Sequence, residues 1–192
     1  MGAKGAYNEP YVRYYLSHPA YHQYPVVGVT LKQAQDFCAW RTERVNEWAQ
    51  ANKKTDKLPA YFNYRLPSLE EYKMMYAEIS ELPNQIGEEG KKAYRGMMRY
   101  NMKRDPKDFM GVAGHLNDNA DITAPALSYW PNESGVWNIK GNVNEWLLKE
   151  NTYIGGGWST PMESDVSVPM HLDSTSAAVG FRCVCEVSEE SL

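Results

Sequence analysis

Hydrophobic residues recur at helical spacing in the first half of the chain. Thr30 is an N-cap candidate, Gln33 completes a capping box with it, and the apolar pattern continues to about Ala49. The positions at three- and four-residue steps, which we expect to form one buried stripe, are Ala34, Phe37, Cys38, Arg41, Val45 and Trp48. The pattern predicts an amphipathic helix that packs on the core through this stripe.

A second helix is predicted to begin after Pro67. Ser68 and Glu71 form another capping box, and Pro83 is expected to close the helix because proline has no backbone N–H to donate. The predicted apolar face comprises Tyr72, Met75, Tyr76 and Ile79.

Turn residues replace this periodicity from Gly111 onward. Short strands are predicted at residues 26–29, 136–139, 145–148, 152–154 and 179–187. Early helices followed by strands with long connections indicate an α+β fold rather than alternating βαβ units. We expect one domain over residues 1–192, with an irregular lead-in at 1–24 and an acidic tail at 186–192.

Composition and charge exclude several classes of function. The chain has 192 residues, 43% of them hydrophobic, and a formal net charge of -4, so we expect no nucleic-acid partner. No apolar run approaches the roughly 18 residues that span a bilayer, so no membrane span is expected. Met1–Pro10 contains no hydrophobic stretch, so we do not expect it to be a signal peptide. The protein therefore stays where it is made, or an export signal has been removed.

Aromatic residues that carry a polar atom are abundant, with 6 Trp and 14 Tyr beside only 4 Phe. Such rings suit a fold with much irregular backbone, because their N–H or O–H can satisfy a loop carbonyl. Some of them could line a ligand pocket, although we prefer the interpretation that they form the core of a loop-rich domain. These residues are Tyr129, Trp137, Trp146 and Trp158.

Motifs in several parts of the chain carry a family resemblance. They are Pro25–Thr30, Tyr64–Ser68, Gly135–Trp146, Gly155–Trp158 and Val179–Cys183. In this order they resemble the motifs of the formylglycine-generating-enzyme/sulfatase-modifying-factor family. The resemblance implies a variant of the C-type-lectin-like fold, with a small twisted antiparallel sheet, two main helices and much irregular coil.

Further stretches are similar to a narrower group, the lipoproteins of gliding motility and type IX secretion that carry this domain. The stretches are Asn8–Pro10, His18–Tyr21, Arg41–Asn46 and Gly114–Pro125. Those relatives are anchored to the outer membrane on its periplasmic side and act as structural components. The resemblance implies partners among the proteins of an envelope or particle assembly, with a homo-oligomer as an alternative. The lipid-attachment signal is missing from this chain, so the localisation stays open.

The family's enzymes oxidise a substrate cysteine with a copper ion held by two cysteines, just past a Gly-Gly-Ser-aromatic motif. The resemblance places Thr160 and Asp165 at these two positions. Soft thiolates select Cu(I), and neither of these side chains can supply one. In addition, Asn144 replaces the Trp before the motif's Glu, and Gly157 replaces the Ser of the Gly-Gly-Ser motif. We therefore predict no copper site and no activity of this kind.

An iron site of the ergothioneine-synthesis type would need three converging histidines. The histidines of this chain show no ligand spacing apart from one i,i+4 pair, which a proline interrupts. We interpret them as structural or surface residues and expect no iron. They are His18, His22, His115 and His171.

The chain has 3 cysteines, so at least one is left over if a disulfide forms. The family resemblance implies a disulfide between Cys38 in the first helix and Cys183 in the last strand. Two alternatives remain open. Both residues could be buried reduced thiols, or Cys183 could pair with Cys185, which lies two residues further along the same strand face.

The family's central loop wraps a structural Ca²⁺, and the resemblance places this loop at Asn138–Glu145. Asn138 and Glu145 would be side-chain ligands, while Gly141 and Val143 would offer backbone carbonyls. Ca²⁺ binds several oxygens at about 2.3–2.6 Å, which suits this set. Alternatively, Asn138 and Glu145 hydrogen-bond the same turn without an ion. A second loop, which we interpret as an Asx-rich turn rather than a cation site, contains Asn117, Asp118 and Asp121.

These observations favour a non-catalytic structural or interaction module that resembles the gliding-motility and type IX secretion lipoproteins. One alternative is a ligand- or receptor-binding display protein with a lectin-like fold, on a cell surface or a virion. Another is an oxidoreductase of the formylglycine-generating family with an altered active site. Convergence of polar groups on Thr160, Asp165 and His171 would favour the altered enzyme.

Overall fold

Helices lie early and short strands late in a computed structural model that describes residues 14–52, 58–88, 90–103, 122–149 and 151–189. The long helix α1 (Leu31–Asn52) precedes strand β1 (Tyr61–Arg65), and α2 (Leu69–Ala77) follows it. The remaining strands are β2 (Asn144–Trp146), β3 (Thr152–Ile154), β4 (Met170–His171), β5 (Val179–Gly180) and β6 (Val184–Ser188). Single 3₁₀ turns occur at Pro19–Tyr21 and Lys92–Tyr94. The predicted α+β class is confirmed.

The strands form two small sheets. β1 and β6 pair antiparallel, from Tyr61 opposite Ser188 to Arg65 opposite Val184. The other sheet has the order β4-β3-β2-β5, and its β2–β5 pair is parallel while the others are antiparallel. The first and last strands of the described chain therefore meet in one sheet.

Both predicted capping boxes are present. Gln33 accepts a hydrogen bond from the Thr30 N–H at 2.8 Å, and the Thr30 hydroxyl accepts one from the Gln33 N–H at 3.1 Å. At the second helix, the Ser68 hydroxyl accepts from the Glu71 N–H at 3.2 Å. The second helix ends earlier than predicted. α2 stops at Ala77, and irregular turns connect it to Pro83.

The strand predictions are partly wrong. Residues 152–154 form β3 as expected, but 26–29 and 136–139 are not strands, and 179–187 is split into β5 and β6. Gly28 has a φ of 73°, which interrupts extended backbone, and Arg182 turns its side chain inward between β5 and β6. The prediction missed β1, whose polar and aromatic residues do not alternate simply.

The predicted buried stripe of α1 is correct for only part of its length. Ala34 and Cys38 are buried, but Phe37 is 38% exposed and Trp48 is 54% exposed. Arg41 lies with its guanidinium carbon 4.7 Å from the centre of the Tyr64 ring. The sheet opposite this helix is only two strands wide, so it covers only part of the apolar face.

The buried residues form two hydrophobic clusters. One gathers around Tyr72 from α2, and the other gathers Ala34, Cys38 and Val179 around Trp146. Trp146 is 1% exposed, and its indole N–H donates to the Val29 carbonyl at 3.0 Å. This confirms Trp146 as a core residue. Among the described helices, none is both long and apolar enough to cross a membrane.

An ion pair fixes the start of α2. Arg65 donates to the Glu71 carboxylate through both terminal nitrogens, at 2.7 and 2.8 Å, and Glu71 also accepts the Ser68 N–H at 2.8 Å. The hydrogen bonds from Arg65 lower the pKa of Glu71 to about 2, although burial acts in the opposite direction. The folded state therefore favours the ionised carboxylate.

We expect acid to weaken the protein through Glu71. The unfolded chain protonates Glu71 near pH 4.5 and the folded chain near pH 2, so this contribution to stability is lost as pH falls between these values. A Glu71→Gln variant should show a shallower loss of unfolding free energy in urea titrations over this range. Glu70→Gln, on the exposed side of the same turn, is the matched control. Identical slopes for Glu71→Gln and the unmodified protein would contradict the prediction.

Candidate functional site

The loop that precedes β2 is tightly wound. Asn138, Gly141 and Asn142 have φ values of 52°, 83° and 65°. A Cβ at Gly141 would lie 2.7 Å from the Asn101 carbonyl oxygen, so only glycine fits there. The Asn142 amide accepts from the Ala124 N–H at 2.8 Å and donates to the Ala124 carbonyl at 3.1 Å. The loop is therefore held by side-chain amides and by close backbone packing.

A largely buried ion pair connects the end of this loop to the segment between β5 and β6. The Arg182 guanidinium donates to both carboxylate oxygens of Glu145, from Nε at 2.5 Å and from Nη2 at 2.6 Å. Glu145 is 5% exposed. Arg182 Nη2 also donates to the backbone carbonyls of Trp137 at 2.9 Å and Asn138 at 3.3 Å. One side chain thus joins both ends of the loop.

The surroundings of the Glu145–Arg182 pair shift the pKa values of Arg182 and of the neighbouring Tyr72. Burial by itself lowers the pKa of Arg182, but the negative charge of Glu145 and the hydrogen bonds to it raise that pKa overall. Tyr72 lies beside the pair and donates its hydroxyl to the Ile139 carbonyl. Burial, followed by the charge of Glu145, raises the pKa of the Tyr72 phenol well above its usual value. Arg182 therefore stays charged and Tyr72 stays neutral at neutral pH.

The predicted calcium ligands lie on this wound loop, but Glu145 is already engaged. Asn138 donates its amide N–H to the Ala126 carbonyl at 2.8 Å, so its amide oxygen is not part of this bond. Lys140 turns toward Asn84, which accepts from its ammonium at 3.0 Å. Both Glu145 oxygens bind Arg182, so the donor set fits Ca²⁺ only if the carboxylate is shared between ion and guanidinium. A carboxylate has about four lone-pair positions, which permits this sharing. The calcium site stays a prediction.

The residues at the two copper-ligand positions have local partners. The Thr160 hydroxyl accepts the Gly157 N–H at 3.0 Å, and the Thr160 N–H donates to the Gly157 carbonyl at 2.9 Å. Asp165 accepts from the Ser167 hydroxyl at 2.6 Å and from its N–H at 3.0 Å, and these bonds lower the pKa of Asp165. His171 pairs with Asp173 at 2.8 Å. Thr160, Asp165 and His171 thus each bond a different neighbour.

Asn144 and Gly157, the other substituted positions, are packed against each other. A Cβ at Gly157 would lie 3.1 Å from the Asn144 amide nitrogen, which is tight for any larger residue. The Asn144 amide donates to the Ala178 carbonyl at 3.1 Å, as does its backbone N–H at 2.9 Å. The Asn144 amide oxygen and the Trp158 indole nitrogen are buried and have no hydrogen-bond partner among the described residues.

The structure brings the predicted cysteine pair together. The Cys38 and Cys183 sulfurs are 3.4 Å apart, in contact but longer than the roughly 2.05 Å of a disulfide bond. Burial and the neighbouring Cys183 raise the pKa of Cys38 to about 12. Cys185 is exposed, and its thiol lies 3.7 Å from the Glu186 carbonyl. The disulfide between Cys38 and Cys183 stays a prediction, and its geometry needs only a small movement.

Sequence reasoning missed Arg182 as the partner of Glu145. Arg182 stands inside the Val179–Cys183 motif, and a buried carboxylate needs a cation or several donors. Within the described ranges, no cluster of three or more His, Cys, Asp or Glu is placed to hold a metal. Some predicted candidates lie outside these ranges, namely His115, Asn117, Asp118 and Asp121.

Comparison with known proteins identifies the family and the fold. Residues 12–187 match the family described as "Sulfatase-modifying factor enzyme 1-like domain". Among solved structures, PvdO from Pseudomonas aeruginosa is similar, with a TM-score of 0.51, 20% identity, and coverage of 86% of this chain and 62% of that one. Treponema denticola variable protein 1 is similar with a TM-score of 0.51, 15% identity, and coverage of 86% and 72%. No curated protein matches the sequence. At such low sequence identities, the similarity shows only that this chain and the two proteins share a fold.

Proposed function

Because the chain belongs to the Sulfatase-modifying factor enzyme 1-like domain family, we propose that it is a non-catalytic structural or interaction module of a cell-envelope assembly. Its nearest functional analogues would be the gliding-motility and type IX secretion lipoproteins that its sequence resembles. One feature of the sequence supports this proposal: the motif resemblance puts Thr160 and Asp165 at the positions of the copper-binding cysteines of the family's enzymes. Other proteins of the assembly are the expected partners.

Ligand chemistry supports the loss of the reaction. Hydroxyl and carboxylate oxygens are hard donors, whereas Cu(I) is selected by soft sulfur donors. The Thr160 hydroxyl holds the backbone of Gly157, and Asp165 holds Ser167, so both side chains have roles in their own turns. The framework is retained at the same time, because Arg182 and Glu145 still lock the central loop. A fold that keeps its framework without the redox ligands suits binding rather than turnover.

We expect the purified protein to leave a cysteine-bearing peptide unchanged in the presence of Cu(I) and oxygen, as followed by mass spectrometry of the peptide. The double variant Thr160→Cys/Asp165→Cys should gain one tightly held Cu(I), measured by competition with a chromogenic Cu(I) chelator. Ser164→Cys/Ser167→Cys adds the same number of thiols in the same segment and is the matched control. Conversion of the peptide cysteine to an aldehyde by the unmodified protein would refute the proposal.

We further propose a structural Ca²⁺ held by Asn138, Gly141, Val143 and Glu145. An ion that binds only the folded state adds about 2.7 kcal/mol at a hundredfold excess over its Kd. Added Ca²⁺ should therefore raise the unfolding temperature, and a chelator should lower it. Asn138→Gly keeps the left-handed backbone and removes one ligand, so its response to Ca²⁺ should be smaller. An unfolding temperature that Ca²⁺ and chelator both leave unchanged would rule out the site.

A further inference from the structure

Side chains of α1 take the place of a neighbouring strand on the outer edge of β1. The Asn46 amide accepts the Phe62 N–H at 2.9 Å and donates to the Phe62 carbonyl at 2.7 Å. One helical turn earlier, the Thr42 hydroxyl accepts the Tyr64 N–H at 2.8 Å. The peptide groups of Phe62 and Tyr64 therefore point away from β6. Since peptide groups alternate along a strand, those of the intervening residues pair with β6.

This alternation identifies which groups of β6 remain open. Val184, Glu186 and Ser188 stand opposite Arg65, Asn63 and Tyr61, so their peptide groups face β1. The N–H and C=O groups of Cys185 and Val187 must then face the other edge of β6. No described strand lies on that edge. An unpaired edge of this kind is a ready template for another strand.

The open edge carries none of the usual protection. Its outward residues are Cys185, which is exposed, and Val187, which is 60% exposed. β6 contains no lysine, proline or bulge to discourage pairing. Its single charged residue, Glu186, points to the opposite face, where Arg65 and Asn63 hold its carboxylate at 2.7 and 3.1 Å. Another copy of Glu186 placed across the edge would therefore meet a carboxylate that Arg65 and Asn63 already hold on the opposite face.

An uncovered apolar surface lies on the α1 side of the same sheet. Cys185 and Val187 stand opposite Tyr64 and Phe62, and directly opposed residues share a face, so their side chains lie on the α1 side of the sheet. Phe37 and Trp48 occupy the same side of α1 as Arg41, which covers the Tyr64 ring. Both aromatic residues are substantially exposed. The helix thus presents an apolar surface beyond the width of its own sheet.

Phe37 also connects this surface to the start of β6. Its ring centre lies 5.4 Å from that of Phe181, which precedes β6, and 5.5 Å from that of Trp40. Trp40 is 54% exposed. The uncovered aromatic surface therefore contacts the segment that leads into β6.

We propose that this edge is a homodimer interface, in which β6 pairs antiparallel with β6 of a second copy about a two-fold axis. A pairing centred on Cys185 joins its outward N–H and C=O groups to those of Cys185 in the other copy, as an isologous contact requires. It also gives the third cysteine a role. Opposed residues of a hydrogen-bonded antiparallel pair have Cα atoms about 5.5 Å apart, which is within the range of a disulfide. Cys185 can therefore face its counterpart across the axis.

The expected dimer is reversible. One short strand edge is small beside the roughly 1,200–2,000 Å² buried in stable interfaces. The association should therefore depend on protein concentration, and oxidation of Cys185 should trap it. The homodimer does not depend on the proposed absence of copper chemistry, so an experiment can refute one proposal without refuting the other.

The test is sedimentation equilibrium of the full chain over a wide concentration range. Val187→Lys should raise the dimer Kd by about tenfold or more, because it places a charge on the open edge. Val168→Lys, a matched change at a residue that is 55% exposed elsewhere, should leave the Kd unchanged. Mild oxidation should yield a covalent dimer that peptide mapping assigns to Cys185, and Cys185→Ser should abolish it.

Three outcomes would overturn the homodimer. The protein could remain monomeric at every concentration, which would leave an extended segment of a different protein as the occupant to test. The Val187→Lys and Val168→Lys variants could dimerise equally well, which would place the interface elsewhere. The covalent dimer could form through Cys38 or Cys183, which would show that Cys185 does not face its counterpart.

Discussion

Replacing Glu145 with glutamine is expected to lower the free energy of unfolding by about 3–5 kcal/mol. The change leaves the Arg182 guanidinium buried without its negative partner, while its bonds to the Trp137 and Asn138 carbonyls cannot compensate the charge. Burial of an uncompensated charge is among the largest single-residue penalties in folded proteins. Urea unfolding at neutral pH, followed by tryptophan fluorescence, measures the loss.

Two further variants separate the ion pair from other effects. Glu163→Gln, at an exposed position, should change the free energy of unfolding little. The double variant Glu145→Gln/Arg182→Met should lose less stability than the sum of the two single changes, because it removes both charges. Repeating the series with Ca²⁺ and with a chelator shows whether Glu145 stabilises the protein as the partner of Arg182 or as a calcium ligand. A loss below about 1 kcal/mol for Glu145→Gln would mean that the pair contributes no more than a surface salt bridge.

Reduction of the oxidised protein is expected to lower the free energy of unfolding by about 4–5 kcal/mol. A bond between Cys38 and Cys183 would close a loop spanning 145 residues, which restricts the unfolded chain strongly. The two sulfurs are already in contact, so the folded state should accommodate the bond with little rearrangement. Urea unfolding with and without a phosphine reductant measures the difference.

The cysteine variants provide the controls for this experiment. Cys185→Ser should leave the effect of reduction intact, while Cys38→Ser should abolish it. A thiol titration of the denatured protein, purified without reductant, should find fewer than its 3 thiols. All 3 thiols titrating would show that the bond is absent, and a peptide that links Cys183 to Cys185 would show the alternative pairing.

Local chemistry explains which features the sequence predicted well. A capping box is formed by residues three positions apart, so Thr30 with Gln33 and Ser68 with Glu71 could be recognised without any tertiary information. The family motifs likewise placed Cys38 near Cys183 and located the wound loop before β2. The α+β class followed from the order of helical and turn-rich segments.

Nonlocal packing explains the rest. Periodicity showed that Phe37 and Trp48 are apolar, but it could not show that the opposing sheet is two strands wide. β1 was missed because its pairing partner lies at the other end of the chain and because Asn46 and Thr42 satisfy its outer edge. Arg182 was missed for a similar reason, since its partner Glu145 is distant in sequence.

The pairing of β1 with β6 has a consequence for synthesis in the cell. A ribosome must release residues up to Ser188 before β1 can acquire its partner, so the sheet under α1 is completed only after the whole segment from β1 to β6 has been synthesised. Until then the nascent polypeptide carries α1 without β6, and Glu145 emerges before Arg182. Nonlocal topologies of this kind fold slowly and leave apolar segments accessible for longer. Chaperone protection during elongation would therefore matter most for the aromatic side of α1.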